Sequence, residues 1–160
     1  MNRTLLGFCA VTLAVMAVPP SANREVQLLS RRILVVDDTK AAGYVLSKLL
    51  EKLGQNVRAT ENPAAALSLV QAEPFDVVIS DIAMPAMDGY ELARQLRCKP
   101  ESQNMVLVAL TGFGQDSDRQ RAKDAGFDFH LVKPVSFESL QNLLASLPAP
   151  RPSSQVALKS

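Results

Sequence analysis

The stretch that decides the fold is DVVISDIAMPAMDG, residues 76–89. Its β-branched run Val77–Ile79 is typical of a strand that is buried on both faces of a parallel sheet. Asp81 follows at the carboxyl end of this predicted strand, and Asp88-Gly89 indicates a turn a few residues later. Because α/β sheets bind their ligands at the carboxyl ends of the strands, Asp81 lies where we expect chemistry.

Three other apolar runs end in residues that could serve the same site. Asp37 and Asp38 follow Ile33–Val36, Thr111 follows Met105–Leu110, and Lys133 follows Phe129–Val132. The carboxyl ends of parallel strands meet at one edge of a sheet, so we expect these side chains to converge on Asp81.

Five short apolar runs alternate with five helical patterns between residues 31 and 147. The first helix is predicted to begin after Thr39 as N-cap. Its predicted inner face consists of the apolar residues Ala41, Ala42, Val45, Leu46, Leu49, Leu50 and Leu53. This alternation predicts one doubly wound α/β domain with a parallel five-stranded sheet of order 2-1-3-4-5 and helices on both faces. Its switch point falls between strands 1 and 3, which brings the 37–38 acids beside Asp81.

The composition excludes several classes of function. The net charge of +1 and the charged fraction of 21% provide no field that would attract nucleic acid, and we predict no direct binding of it. Cys9 and Cys98 are too few for a disulfide framework, and the single histidine, His130, excludes a site with several histidine ligands.

The two ends of the chain differ from the middle. Residues 1–30 hold Arg3, an apolar run over 5–18 and then a linker, and the run is shorter than the about 20 residues that a membrane span needs. It is compatible with an export signal, a membrane tether or the remnant of a longer chain. Residues 148–160 are rich in proline and serine, and we predict a disordered tail.

Three converging carboxylates repel one another, so the site needs a proton or a cation. Oxygen ligands of this kind suit Mg²⁺. Lys133 supplies a mobile positive charge and Thr111 a hydroxyl donor, which together with the metal would stabilise a transferring phosphoryl group. Asp81 stands alone on its strand and is therefore the predicted nucleophile.

The motifs ILVVDDT, VVISDIAMPAMDGYELA, LVALTG and HLVKPV resemble those of response-regulator receiver domains of two-component signalling, over about residues 31–147. The sequences of the loops around Thr111 and His130 most resemble those of receivers that belong to hybrid sensor histidine kinases. The resemblance implies a flavodoxin-like fold and a phosphoacceptor, Asp81, that takes its phosphoryl group from a phosphohistidine. It implies a bacterial phosphorelay switch rather than an enzyme.

The resemblance also assigns roles around Asp81. It implies that Asp38 binds Mg²⁺ directly, that Asp37 acts mainly through water and that the backbone carbonyl of Ala83 is a further ligand. Lys133 would pair with the phosphoryl oxygen, and Thr111 would move to bond it. His130 falls at the family's switch-aromatic position, and the Lys133-Pro134 bond is commonly cis in the family.

The implied partners are a histidine kinase or a histidine phosphotransfer protein on the donor side. The resemblance implies that the fourth helix, fifth strand and fifth helix form the surface for a downstream partner. The sequence gives no catalytic output domain after residue 147, so we expect the output to pass through such a partner or through a longer parent chain. Phosphohistidine donors are cytoplasmic, so the chain is expected there, with residues 5–18 a tether or a remnant rather than an export signal.

Two alternatives compete with the phosphoacceptor switch. A degenerate receiver would act only as a docking module. The complete set of site residues in this chain argues against that alternative. A haloacid-dehalogenase-like phosphatase would need a second aspartate two positions after its first-strand nucleophile, where Asp37 is followed by Thr39.

Overall fold

The computed structural model describes residues 28–112 and 116–150. The predicted export signal or tether at 5–18, the loop residues 113–115 and the tail from 151 lie outside the described residues.

Five strands alternate with five helices along the described chain. The strands are β1 (Arg32–Val36), β2 (Asn56–Thr60), β3 (Val77–Asp81), β4 (Val106–Thr111) and β5 (Phe129–Val132). The helices are α1 (Lys40–Lys52), α2 (Pro63–Ala72), α3 (Gly89–Arg97), α4 (Asp116–Ala125) and α5 (Phe137–Ser146), with a short 3₁₀ turn at Pro100–Ser102. All strand pairs are parallel and the order is β2-β1-β3-β4-β5, which confirms the predicted fold.

The sheet separates two hydrophobic cores. Leu34, Val78 and Leu107 point toward α2, α3 and α4, whereas the alternating residues Ile33 and Ile79 point toward α1 and α5. Every residue of β3 is buried, including Asp81. The central strand is therefore fixed on both faces, and only its carboxyl end can meet a ligand.

The predicted inner face of α1 is wrong in part. Ala41 and Val45 are exposed, whereas Leu46 and Leu50 are buried as predicted. The helix also buries Gly43 and Ser47. The buried positions keep helical spacing, and the Ser47 hydroxyl is satisfied because it donates to the Gly43 carbonyl oxygen at 2.7 Å. The prediction considered only apolar side chains, so it missed a face built around a glycine and a bonded serine.

Side chains cap three of the helices. Asn62 accepts from the backbone N–H groups of Ala64 and Ala65, and Ser136 forms a capping box with Ser139. The Asp88-Gly89 pair predicts a turn, but Asp88 is the N-cap of α3 and accepts a hydrogen bond from the Glu91 N–H at 2.8 Å. Thr39 lies at the N-cap position of α1 without a side-chain capping bond.

Arg31 ties the two ends of the domain together. Its buried guanidinium donates to the carbonyl oxygens of Leu147 and Pro148 at 3.2 and 3.1 Å, just beyond α5. Its backbone N–H donates to the side chain of Gln55. The chain thus enters β1 and leaves α5 at the same end of the sheet, opposite the carboxyl end of β3.

Within the two described ranges, every helix is either too short or too polar to traverse a lipid bilayer.

Candidate functional site

Three aspartates meet at the carboxyl end of β1 and β3. Asp37 and Asp81 are buried and Asp38 is exposed, and each offers a carboxylate oxygen within 4.8 Å of the other two. The two strands are neighbours in register, with Val36 beside Ser80, so the residues that follow them are adjacent. The structure therefore brings together the three acids that the strand ends predicted.

Backbone hydrogen bonds hold two of these carboxylates in place. The Thr39 N–H donates to Asp37 Oδ1 at 2.9 Å, and the Ala83 N–H donates to Asp81 Oδ1 at 3.2 Å. Each bond joins an aspartate to the residue two positions later, as in an Asx turn. One oxygen of each carboxylate is thus held by the main chain, while the other faces the cluster.

Lys133 bridges the two buried acids. Its ammonium nitrogen donates to Asp81 Oδ2 at 2.8 Å and to Asp37 Oδ2 at 3.0 Å. Its backbone N–H donates to the Thr111 carbonyl oxygen at 2.8 Å, which fixes the end of β5 against β4. The Lys133-Pro134 peptide bond is cis, as the family resemblance implies.

The electrostatics of the cluster favour a divalent cation. Burial lowers the pKa of Lys133, but its hydrogen bonds to Asp81 and Asp37 raise the pKa, and the result lies above the ordinary value of 10.5. Lys133 is therefore charged at neutral pH. Three carboxylates and one ammonium group carry a formal charge of −2, which a divalent cation would balance.

Thr111 ends β4 beside this cluster. It is buried, and its hydroxyl oxygen has no hydrogen-bond partner among the described residues. A buried hydroxyl with no partner among the described residues is a candidate donor to a bound ligand. An anion held near Lys133 is a natural acceptor for it.

The residues fit a hard cation such as Mg²⁺. All the donor atoms of the cluster are carboxylate oxygens, which Mg²⁺ prefers, and exposed Asp38 leaves room for water ligands. The acidic cluster could therefore hold a metal ion.

Gly89 is a site residue that the sequence analysis missed. A methyl group at its Cα would lie 2.3 Å from the Asp81 carbonyl oxygen and 2.8 Å from Cα of Ile82. Its N–H donates to the Ile82 carbonyl oxygen at 3.0 Å, so the loop after β3 folds back onto the strand end. The dipeptide Asp88-Gly89 marks this position in the sequence, but by itself it predicts only a turn.

His130 is not part of the acidic cluster around Asp81. It is half-buried on β5, opposite Ala109 of β4, and it lines a groove beside α4 with Lys123. Its predicted role at a switch position stays a prediction.

Fold and cluster together define a class of protein. A doubly wound sheet with an acidic triad, a lysine and a hydroxyl at its switch point is the architecture of a phosphoacceptor domain. The family profile of the response regulator receiver domain matches residues 33–145, and the chain belongs to that family. It is a receiver module of two-component phosphorelay signalling, and receiver domains are signalling switches.

Known proteins agree with this assignment. The virulence sensor protein BvgS of Bordetella pertussis is 38% identical over 90% of this chain, and the chain spans 13% of the length of that sensor. The chemotaxis protein CheY4 of Vibrio cholerae has a TM-score of 0.68 at 31% identity, covering 71% of this chain and 94% of its own.

A second solved structure bears on the metal. The receiver domain of sensor histidine kinase PA1611 from Pseudomonas aeruginosa has a TM-score of 0.67 at 27% identity, covering 72% of this chain and 94% of its own. That structure holds a magnesium ion in its active site cleft.

Proposed function

We propose that this receiver accepts a phosphoryl group on Asp81 from a phosphohistidine donor in a Mg²⁺-dependent reaction. The observation that carries the proposal is the geometry around Asp81. Its Oδ2 lies 2.8 Å from the ammonium group of Lys133, beside two further carboxylates and near a buried hydroxyl that lacks a partner among the described residues.

Each residue then has a role. Asp37, Asp38, Asp81 and the backbone carbonyl of Ala83 would hold Mg²⁺, with Asp38 bound directly and Asp37 acting mainly through water. The ion, when bound, supplies positive charge that offsets the charge on the phosphoryl oxygens. Lys133 pairs with one phosphoryl oxygen, and Thr111 moves to donate its hydroxyl to another.

In the proposed phosphoryl transfer, one bond to phosphorus forms and one breaks. A carboxylate oxygen of Asp81 attacks phosphorus, and the bond from phosphorus to the imidazole nitrogen breaks with its electron pair left on the nitrogen. Lys133 keeps its proton throughout and stabilises the anionic oxygens. The product is a mixed anhydride on Asp81, and the chain then acts as a switch rather than as an enzyme with turnover on a separate substrate.

The partners follow from this chemistry. Receivers pair with histidine kinases or phosphotransfer proteins, and we propose one of these as donor. The output passes to a partner through α4, β5 and α5, with His130 coupling the site to that surface. Because phosphohistidine donors are cytoplasmic, we propose that the chain is cytoplasmic and that residues 31–147 form the receiver. Residues 1–30 would be an apolar tether or remnant followed by a linker, and residues 148–160 a tail.

One experiment locates the acceptor. After reaction with phosphoramidate, a small donor with a P–N bond, borohydride reduces an aspartyl phosphate to homoserine, which peptide mass spectrometry assigns to a position. We expect homoserine at residue 81 and unmodified Asp37, Asp38 and Asp88. Reduction at another aspartate, or at none, would overturn the proposal.

The phosphatase alternative makes a different prediction. A haloacid-dehalogenase-like enzyme would turn over a generic phosphomonoester such as p-nitrophenyl phosphate, whereas a receiver should release no nitrophenol above the buffer rate. A docking module would neither react nor turn over.

A further inference from the structure

We infer that Ala86 is a positioning residue, whose left-handed backbone keeps the loop after β3 folded over Asp81 and so places the main chain of Ala83 at the acidic cluster. Among the residues that the structure describes, Ala86 is the one non-glycine residue with a positive φ, 67°. This conformation is unfavourable for an L-residue that has a Cβ atom, so it persists only where the surrounding structure holds it.

Ala86 is the middle residue of a tight turn. Across this turn the Met87 N–H donates to the Pro85 carbonyl oxygen at 2.8 Å. A hydrogen bond between residues i and i+2 around a positive φ defines the strained form of the γ-turn, which is rare in proteins. Ala86 is exposed, so burial of its methyl group does not impose the conformation. The constraint therefore comes from the chain on either side of the turn.

Two methionines that flank the turn anchor the loop in the core. Met84 is buried, and Met87 packs against the same cluster of buried side chains between the sheet and helices α2, α3 and α4. Farther along, the Gly89 N–H donates to the Ile82 carbonyl oxygen at 3.0 Å and closes the loop. Only the two residues between the methionines are left to form the turn.

The same loop carries main-chain groups that meet the acceptor. The Ala83 N–H donates to Asp81 Oδ1 at 3.2 Å. The Met84 N–H donates to the Ile82 carbonyl oxygen at 3.1 Å, so the backbone of Ala83 is itself held in a turn. Opening the turn at residue 86 would release this constraint. The inference rests on the proposed function in one respect, the role of the Ala83 carbonyl oxygen as a ligand of Mg²⁺.

The backbone preference of residue 86 should therefore set the affinity of the site for Mg²⁺. A β-branched residue tolerates a positive φ far less well than alanine, whereas asparagine adopts it readily. In Ala86→Val the loop should be open for part of the time, and the apparent dissociation constant of Mg²⁺ rises as the binding-competent fraction falls. The substitution lies outside the three aspartates of the cluster, so any such effect must pass through the loop.

The test compares Ala86→Val, Ala86→Asn and the control Ala59→Val in the full, unphosphorylated chain. Ala59→Val adds the same atoms at an exposed position of β2, where a β-branched residue is favoured. Without metal, the Ala83 and Gly89 amides should exchange hydrogen about tenfold faster in Ala86→Val, while the amides of β3 keep wild-type rates. A Mg²⁺ titration should show about tenfold weaker binding by Ala86→Val. The other two variants should match wild type in both measurements.

Wild-type Mg²⁺ affinity in Ala86→Val would overturn the inference, and so would equal losses in Ala86→Asn. Faster exchange throughout β3 would also overturn it, because that result would indicate a general loss of stability rather than an open loop. A wild-type chain that binds no Mg²⁺ would contradict the metal in the proposed function, and the exchange rates would still decide whether residue 86 holds the loop. Because no phosphodonor is present, none of these results tests phosphorylation of Asp81.

Discussion

The ammonium nitrogen of Lys133 lies 2.8 Å from Oδ2 of Asp81, although 52 residues separate them in the sequence. Before any phosphoryl group arrives, the lysine already compensates the carboxylate that is proposed to attack. The same nitrogen contacts Asp37 at 3.0 Å, so one cation holds the two buried acids together. This contact links the end of β5 to the acceptor and gives the switch a physical connection.

Replacing Lys133 should allow phosphorylation of Asp81 but prevent the conformational change that follows it. We predict that Lys133→Ala still accepts phosphate weakly, because Asp81 and the metal ligands remain, but that its α4 and β5 amides no longer shift on phosphorylation. Intact mass and amide spectra check the two parts. Lys40→Ala is the matched control, since Lys40 begins α1 near Asp37 without an ion pair among the described residues. Shifts of wild-type size in phosphorylated Lys133→Ala would refute the prediction.

Lys133 should also make the folded chain less stable as the pH rises into the alkaline range. Burial lowers the pKa of Lys133, but its hydrogen bonds to Asp81 and Asp37 raise the pKa by more. The pKa in the folded chain therefore lies above the unfolded value. Its stabilising contribution is therefore complete below the unfolded pKa and is lost as the pH rises through the folded pKa. Urea midpoints between about pH 9 and about pH 11.5 should fall more steeply in wild type than in Lys133→Met. Parallel curves would contradict the direction of the shift.

Magnesium should stabilise the folded chain through Asp38. With free Mg²⁺ at a hundred times its dissociation constant, linkage predicts a gain of about 2.7 kcal/mol in the free energy of unfolding. Asp38→Asn should lose most of that gain. Asp88→Asn removes a nearby acid but keeps a residue that can cap α3, so it should retain the gain. An equal gain in Asp38→Asn would show that the ion binds elsewhere.

The loop after β3 should not tolerate a side chain at residue 89. In Gly89→Ala the added methyl would meet the Asp81 carbonyl oxygen at 2.3 Å, which forces the backbone apart. We expect a loss of about 1–3 kcal/mol in unfolding free energy together with weaker phosphorylation. Gly112→Ala is the control, since no atom of the residues that the structure describes lies within 4 Å of its added methyl. Similar urea midpoints for both variants would contradict the proposal that the loop after β3 requires glycine at residue 89.

The strand ends were predictable because each is a local pattern: an apolar run, then a polar residue. Parallel pairing then carries Asp37, Asp38, Asp81, Thr111 and Lys133 to one edge without further information. The family motifs implied the same residues. The fold and these five residues could therefore be predicted from the chain, whereas the contact of Gly89 with the end of β3 could not.

What could not be predicted depends on close packing between distant segments. The inner face of α1 depends on Gly43, where a methyl group would lie 3.7 Å from Cβ of Asp37, and on Ser47, which bonds within its own helix. The strand ends predict that Lys133 and Asp37 lie at one edge of the sheet, but they do not predict that the ammonium group of Lys133 donates to Asp37 as well as to Asp81. Hydrophobic periodicity carries no information on such contacts, since it ranks residues by polarity rather than by the space around them.

The most direct test of the central claim is the intact mass of the chain after incubation with acetyl phosphate, with and without Mg²⁺. The comparison uses wild type, Asp81→Asn and the control Asp88→Asn. We predict a single phosphoryl adduct that requires Mg²⁺, is lost in Asp81→Asn and is retained in Asp88→Asn. An adduct that persists in Asp81→Asn, or no adduct in the wild type under any condition, would contradict phosphorylation at Asp81.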